Sequence, residues 1–149
     1  MAAKPSRRDA EILREAMRLF MYEQRRLLAD LDVPQARMLI VLLRRAPLLQ
    51  SELGRLLALE KSWVSRAVDK LVALGWVTRN ALPEDRRAVQ LTLSPAGLRA
   101  AREVDEQMNA HAESVLSRLP RETRSQVMPA LQALCDALHE GGERGADQT

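Results

Sequence analysis

The sequence predicts a mainly α-helical fold with a small β wing, on three observations. Residues Asp9 to Asp30 contain no Gly or Pro and set Ile12, Ala16, Leu19, Phe20 and Leu27 at helical spacing. After Gly75 the hydrophobic period changes from 3.6 to 2. Ser94-Pro95 then restarts a helical pattern that runs, interrupted at Pro120, to near His139.

The first helix carries an apolar stripe that needs a partner. Asp32, followed three residues later by Gln35 and with Pro34 in the first turn, is the expected cap of a second helix. That helix runs through Leu39, Ile40, Leu42 and Leu43 to about Arg45, and Pro47 stops it. Ser51 to Leu57 reads as a short helix with Leu53, Leu56 and Leu57 inward, and Ala58 to Lys61 as the turn after it. The next helix, Ser62 to Leu74, places Val64, Ala67, Val68 and Leu71 at i, i+3, i+4 and i+7. Gly75 supplies the residue at which a helix ends with positive φ.

Trp76 to Arg79 then reads as a short strand. Ala88 to Leu93 is a second strand, with Val89, Leu91 and Leu93 on one face and Gln90 and Thr92 on the other. Asn80 to Arg87, with Pro83 and four charged residues, is the exposed loop between them. Pro95 to about Arg118 is a long helix, and Pro120 separates it from a last helix ending near His139. Pro129 should kink or break that last helix. The polar tail Gly141 to Thr149 is expected to fray.

Composition bounds the function. A chain of 149 residues, 46% of them hydrophobic, can bury about two thirds of its unfolded surface as one domain. Its longest apolar run, Met38 to Leu43, is far short of the roughly 18 residues of a membrane span. The basic stretch Met1 to Arg8 leads into no apolar region of a secretory signal, so the expected location is the cytoplasm. The single Cys135 allows no internal disulfide and by itself no zinc site. With 3% aromatic residues there is no stacking platform for single-stranded nucleic acid.

Net charge is +3, and its distribution is uneven. Residues 1–50 carry 10 Lys/Arg against 6 Asp/Glu, residues 51–99 carry 8 against 5, and residues 100–149 carry 5 against 9. A basic first two thirds with an acidic last third points to a polyanionic partner, or else to an ordinary solvated surface.

Two helices joined by a tight turn and followed by a hairpin with a charged tip is the order of a winged helix-turn-helix lobe, here residues 32–97. In that motif the second helix fits the major groove of B-DNA and the loop reaches a neighbouring groove. Burial of Val64, Ala67, Val68 and Leu71 leaves Ser62, Trp63, Ser65, Arg66, Asp69 and Lys70 outward. Arg66 suits guanine O6 and N7, Ser62 and Ser65 suit bases or phosphates, and Lys70 suits phosphate. Trp63 can touch the DNA backbone or a thymine methyl, or pack against the lobe. Arg86 and Arg87 stand where a narrow minor groove attracts guanidinium groups.

Within this lobe, Ser51-Glu52-Leu53, the run Trp63-Val64-Ser65-Arg66-Ala67-Val68-Asp69-Lys70-Leu71, Gly75-Trp76-Val77, Glu84-Asp85-Arg86-Arg87, and Leu91-Thr92-Leu93-Ser94-Pro95-Ala96-Gly97 follow one another in an order that resembles the MarR family of bacterial transcriptional regulators. The resemblance implies a single MarR-type domain over residues 1–149 that forms a homodimer. Helices 9–30 and 95–139 would intertwine and hold two lobes on one palindromic operator. It further implies that Asp85 orients a neighbouring arginine, that Arg87 enters the minor groove, and that Arg86 adds a phosphate contact. The residues agree with a dimer, because the stripe on 9–30 and the apolar positions Val104, Met108, Val115, Leu116, Leu131, Leu134 and Leu138 exceed what one small lobe covers. Two-fold symmetry then sets half-sites roughly 10 bp apart. Leu49 and Glu60 depart from the family pattern by standing where good capping residues are usual.

The leading expectation is a sequence-specific regulator of double-stranded DNA, a repressor released by a small molecule bound between lobe and dimer helices. The alternative is a winged-helix module that binds protein and not DNA, against which the arginines of helix and wing count. An enzyme is not expected: there is no G-x-S-x-G, no H-E-x-x-H, no phosphate-cradling Gly-rich loop and no paired Cys/His cluster, hence no catalytic residue and no cofactor. His111 and His139, even with Glu113 near the former, read as surface or dimer residues before metal ligands, so no metal is expected. Cys135 reads as a small core residue before an oxidation sensor, and Met17, Met21, Met38 and Met108 as core or interface filler that can also line an adaptable pocket.

Overall fold

A computed structural model of the chain describes residues 4–28, 31–85 and 88–146, with side chains through His139. The chain divides into two compact units, Met1–Met108 and Asn109–Thr149.

Helix α1 spans Arg7–Leu27, two residues earlier at its start than the hydrophobic stripe alone indicated. The reason is a capping box. The Asp9 amide donates to the Ser6 hydroxyl at 3.2 Å, and the Ser6 amide donates to the Asp9 carboxylate at 2.8 Å. The helix ends before the expected Asp30, capped at Leu28, whose amide bonds the Gln24 carbonyl. None of its residues is buried.

Helix α2, Val33–Arg45, begins after Asp32 with Pro34 in its first turn, but the expected Asp32–Gln35 box does not form, because Asp32 makes no side-chain cap bond. Its carboxylate lies 3.5 Å from the Lys70 ammonium, and Gln35 is buried. Ala36, Met38, Leu39 and Leu42 form the inward face.

A strand that periodicity did not reveal, β1 (Leu48–Leu49), follows Pro47. Helix α3, Gln50–Leu57, starts at Leu49 with no side-chain cap and ends on Ala58 in the left-handed region at φ 52°. Helix α4, Lys61–Ala73, starts at Glu60, also without a side-chain cap. Where α3 and α4 meet, a Cβ on Gly54 would stand 3.1 Å from Val64 Cγ2, so the small residue sets how closely the pair approaches. Helix α4 closes with a Schellman pattern. Trp76 N–H bonds the Leu71 carbonyl at 3.0 Å and Gly75 N–H bonds the Val72 carbonyl at 2.9 Å, with Gly75 at φ 70°.

Strands β2 (Val77–Ala81) and β3 (Val89–Leu93) pair antiparallel from Val77↔Leu93 to Ala81↔Val89, and β1 joins the other edge of β3 through Leu48↔Leu91 and Leu49↔Gln90. Trp76, expected in the strand, instead belongs to the helix-ending turn. Helix α5, Pro95–Ser117, is capped by Ser94, whose hydroxyl accepts the Gly97 amide at 3.0 Å.

The core of the first unit gathers Met38, Leu39 and Leu42 of α2, Leu53 of α3, Val64, Val68 and Leu71 of α4, Val77 of β2 and Leu91 of β3. Each such side chain contributes about 1.5–3 kcal/mol by leaving water. Leu28, Ala101 and Val104 extend this core at the root of α5.

In the second unit α6 spans Arg121–Ala146 as one element, so Pro129 does not break it and it does not stop near His139. Proline removes one N–H, while the turns on either side keep their own bonds. Gly141 and Gly142 lie inside the helix where a frayed tail was expected, at a cost of only about 1 kcal/mol each among good helix formers. Cys135 is exposed, against the expected core role. No helix of the described residues is long and apolar enough to cross a membrane.

Candidate nucleic-acid interface

The core set on α4 fixes which of its residues face solvent. Ser62, Arg66, Asp69 and Lys70 are exposed, whereas Ser65 and Trp63 are half-buried and Trp63 packs on the core. Packing is thus the reading of Trp63 that the geometry favours. Trp63, Arg66 and Lys70 nonetheless meet in one surface cleft of about 160 Å3, completed by Asp32, Gln35 and Ala67. Among the described residues Arg66 has no ion-pair partner, so its guanidinium is available to a ligand. Lys70 is tied loosely to Asp32 across solvent, an exposed pair worth little that a phosphate can displace.

On the opposite flank of the helix pair, Gln50, Ser51, Gly54, Arg55, Leu59 and Lys61 line a larger cleft, about 360 Å3, whose far wall is Ala88 and Val89 at the base of the hairpin. Arg55 and Lys61 bring two cations beside the start of the wing. Sequence reasoning passed over both, since one lone basic residue within α3 and another at the first position of α4 carry no periodic signal. Of the wing residues singled out, Asp85 turns the chain by accepting the Ala88 amide on its carbonyl at 3.0 Å. Arg86 and Arg87 lie outside the described residues.

Sequence reasoning also missed Arg79. On β2 it donates to the Asp69 carboxylate at 2.5 Å, to the Gln50 side-chain carbonyl at 3.3 Å and to the Ser65 backbone carbonyl at 3.3 Å. Its partners are ten to twenty-nine positions away in sequence, so only the folded chain brings them together.

Behind the lobe, Leu27, Leu28, Leu31 and Trp76 face Ala100, Glu103, Val104 and Gln107 of α5 across a third cleft of about 250 Å3. The described residues hold no group of three or more His, Cys, Asp or Glu placed to bind a metal ion. Among the described residues, shifted ionisation falls on α1. There the Ser6 hydroxyl and amide hold the Asp9 carboxyl below its ordinary range, and the Arg18 guanidinium does the same for Glu15.

Comparison with known proteins agrees with this layout. Residues 29–88 match the MarR family model. Among curated proteins none matches the chain in sequence. A transcriptional regulator from Thermotoga maritima is similar at 29% identity, with a TM-score of 0.65 over 97% of this chain and 100% of its own. A MarR transcriptional regulator from Methanosarcina mazei gives a TM-score of 0.76 at 22% identity, covering 87% of this chain and 98% of that one. FabT of Streptococcus pneumoniae, solved in complex with DNA, gives 0.72 at 20% identity over 89% of this chain and 96% of its own. Residues 29–88 thus match the MarR family model, and the chain takes the winged-helix fold of the MarR-type transcriptional regulators to which it is similar.

Proposed function

We propose that the chain is a sequence-specific regulator of double-stranded DNA, a cytoplasmic repressor and not an enzyme, that acts as a homodimer on a palindromic operator. The observation that carries the reading is the outward face of α4. Arg66 stands there without an ion-pair partner among the described residues, beside Ser62 and Lys70, on a helix whose other side is core. A helix of this kind reads base edges, while flanking cations neutralise phosphates. Ser62, Trp63, Ser65, Arg66 and Lys70 form the helix part of the site, and Asp85, Arg86 and Arg87 the wing part. The DNA complex of FabT, a protein of the same fold, supports the same use of this lobe.

Residues 32–97 would be the lobe, and helices α1, α5 and α6 would supply the dimerisation region. Support comes from α1, which buries nothing although Ile12 and Phe20 are 60% and 59% exposed on it. A face that apolar is unstable in water without a partner. The cleft between Trp76 and Val104 offers an effector an apolar wall of Leu27, Leu28, Leu31 and Trp76 with Glu103 and Gln107 as polar partners.

Selection of duplexes from a random pool, followed by titration across salt, tests the reading. Affinity for the selected duplex should fall by several orders of magnitude between about 50 and 200 mM salt, as phosphate contacts require. A chain that enriches no duplex, or binds one with no salt dependence, removes it. A protein-binding module is the second reading, and the exposed Arg66, Lys61 and Arg55 count against it, since such a face would bury apolar residues.

A further inference from the structure

The side chain of Arg79 stands where three elements converge. It comes from β2, its Nη1 donates to Asp69 on α4, its Nη2 to the Ser65 carbonyl one turn earlier on α4, and its Nε to Gln50 at the start of α3. All three guanidinium nitrogens therefore point inward to the lobe, and the side chain is 32% exposed. A planar fork held at three points fixes orientation as well as distance, which a lysine cannot do.

What it fixes is the angle between the two parts of the lobe that would touch DNA. Asp69 is on the same helix as Arg66, three residues on, and Arg79 is two residues before the last pair of the β2–β3 ladder, Ala81↔Val89. The link thus spans from the recognition helix to the root of the wing. It also answers a charge problem, because a bare Asp69 carboxylate on an exposed face would repel phosphate. As a half-exposed pair it adds little to folding.

We propose that Arg79 is a positioning residue for DNA recognition, locking α4 and the wing into one reading head through Asp69, Ser65 and Gln50. This rests on the DNA-binding reading above. Loss of the lock leaves the cations in place, so attraction to any duplex persists, while the match between helix and wing to one sequence is lost.

The test compares two duplexes, one selected from a random pool by the unmodified full-length chain and one scrambled from it. Arg79→Gln should lower affinity for the selected duplex roughly tenfold and change the scrambled one by no more than about twofold, with the thermal midpoint nearly unmoved. Asp69→Asn separates positioning from charge. Removing a carboxylate strengthens binding to both duplexes if charge is all that matters, whereas loss of the lock erodes discrimination. Arg79→Lys should rescue only part of it, and the exchanged pair Arg79→Asp with Asp69→Arg should regain more than Arg79→Asp alone.

Discrimination unchanged in both Arg79→Gln and Asp69→Asn overturns the proposal. So does an equal loss on both duplexes with a salt slope lower by about 0.9, which marks a direct phosphate contact. If Arg79→Gln does not fold, Asp69→Asn decides alone. A parent chain that enriches no duplex sinks the DNA-binding reading, and the role of Arg79 falls with it; a parent that binds while its variants discriminate equally well sinks the role alone.

Discussion

Gly97 lies so close to Trp76 that a Cβ on it would stand 1.8 Å from the Trp76 carbonyl oxygen. The junction around that contact is dense. Ser94 N–H donates to the same carbonyl at 3.0 Å, and the Ser94 hydroxyl donates to the Gly75 carbonyl at 2.6 Å while capping α5. Backbone meets backbone here, so neither side can yield by a rotamer change. Gly97→Ala should destabilise the lobe by about 3 kcal/mol, the upper end for overpacking, read as a lower urea midpoint. An unchanged midpoint would show that the junction has slack.

The exposed face of α4 gives a graded set of effects on DNA. Arg66→Ala should cost about 1–3 kcal/mol and relax preference at one base position per half-site, whereas Lys70→Ala should weaken all duplexes alike and lower the salt slope by about one. Asp32→Asn should act in the opposite direction from Lys70→Ala, because it releases the ammonium now 3.5 Å away and removes a negative charge. Titration of the three variants against selected and scrambled duplexes reads all of this. Identical behaviour of Arg66→Ala and Lys70→Ala would mean that base and phosphate contacts have been wrongly divided between them.

Phe20→Asp probes the uncovered face of α1. A carboxylate placed beside Ile12 and Leu19, which are 60% and 47% exposed, cannot be buried cheaply in an apolar interface. Sedimentation should then show monomers where the parent chain shows dimers. Since the side chain is outside the core of its own lobe, urea unfolding of the lobe should be little altered. A variant that remains dimeric would move the interface elsewhere.

Acid should loosen the start of α1. The Asp9 carboxyl is held below its ordinary range, first by the Ser6 hydroxyl and then by the Ser6 amide. A group whose folded value is lowered contributes stability above the unfolded carboxylate value and loses it as pH falls through the lowered one. Carboxyl NMR titration should find Asp9 titrating below an ordinary aspartate, and Ser6→Ala should bring it back up. The same value in both chains would show that the capping box is not populated in solution.

Much of the lobe was legible because its signals are local. The i, i+3, i+4 set on α4 and the alternation of β3 follow from side-chain geometry, and Gly75 and Ser94 mark ends through bonds to residues close in sequence. What failed depended on distance or competition. Leu48–Leu49 is strand only because Leu91 and Gln90 pair with it from some forty positions away. The Asp32 cap was expected from spacing, but Lys70 stands close enough to hold the carboxylate. Pro129 was expected to kink or break α6, and the helix carries on through it without a break. Within the site, Arg66 could be read from the pattern of its neighbours. Arg79 could not, because nothing near it in the chain announces Asp69.

The β2–β3 ladder ends at the Ala81↔Val89 pair, which the Leu82 amide closes onto the Ala88 carbonyl at 3.3 Å. Whatever lies between those positions leaves the cross-strand Thr78–Thr92 hydroxyl contact and every core pair below it untouched. The hairpin therefore works as an interchangeable bit on a fixed shank. Related chains could diverge in groove preference through that short stretch alone, and an engineer could graft a foreign segment there without refolding the rest.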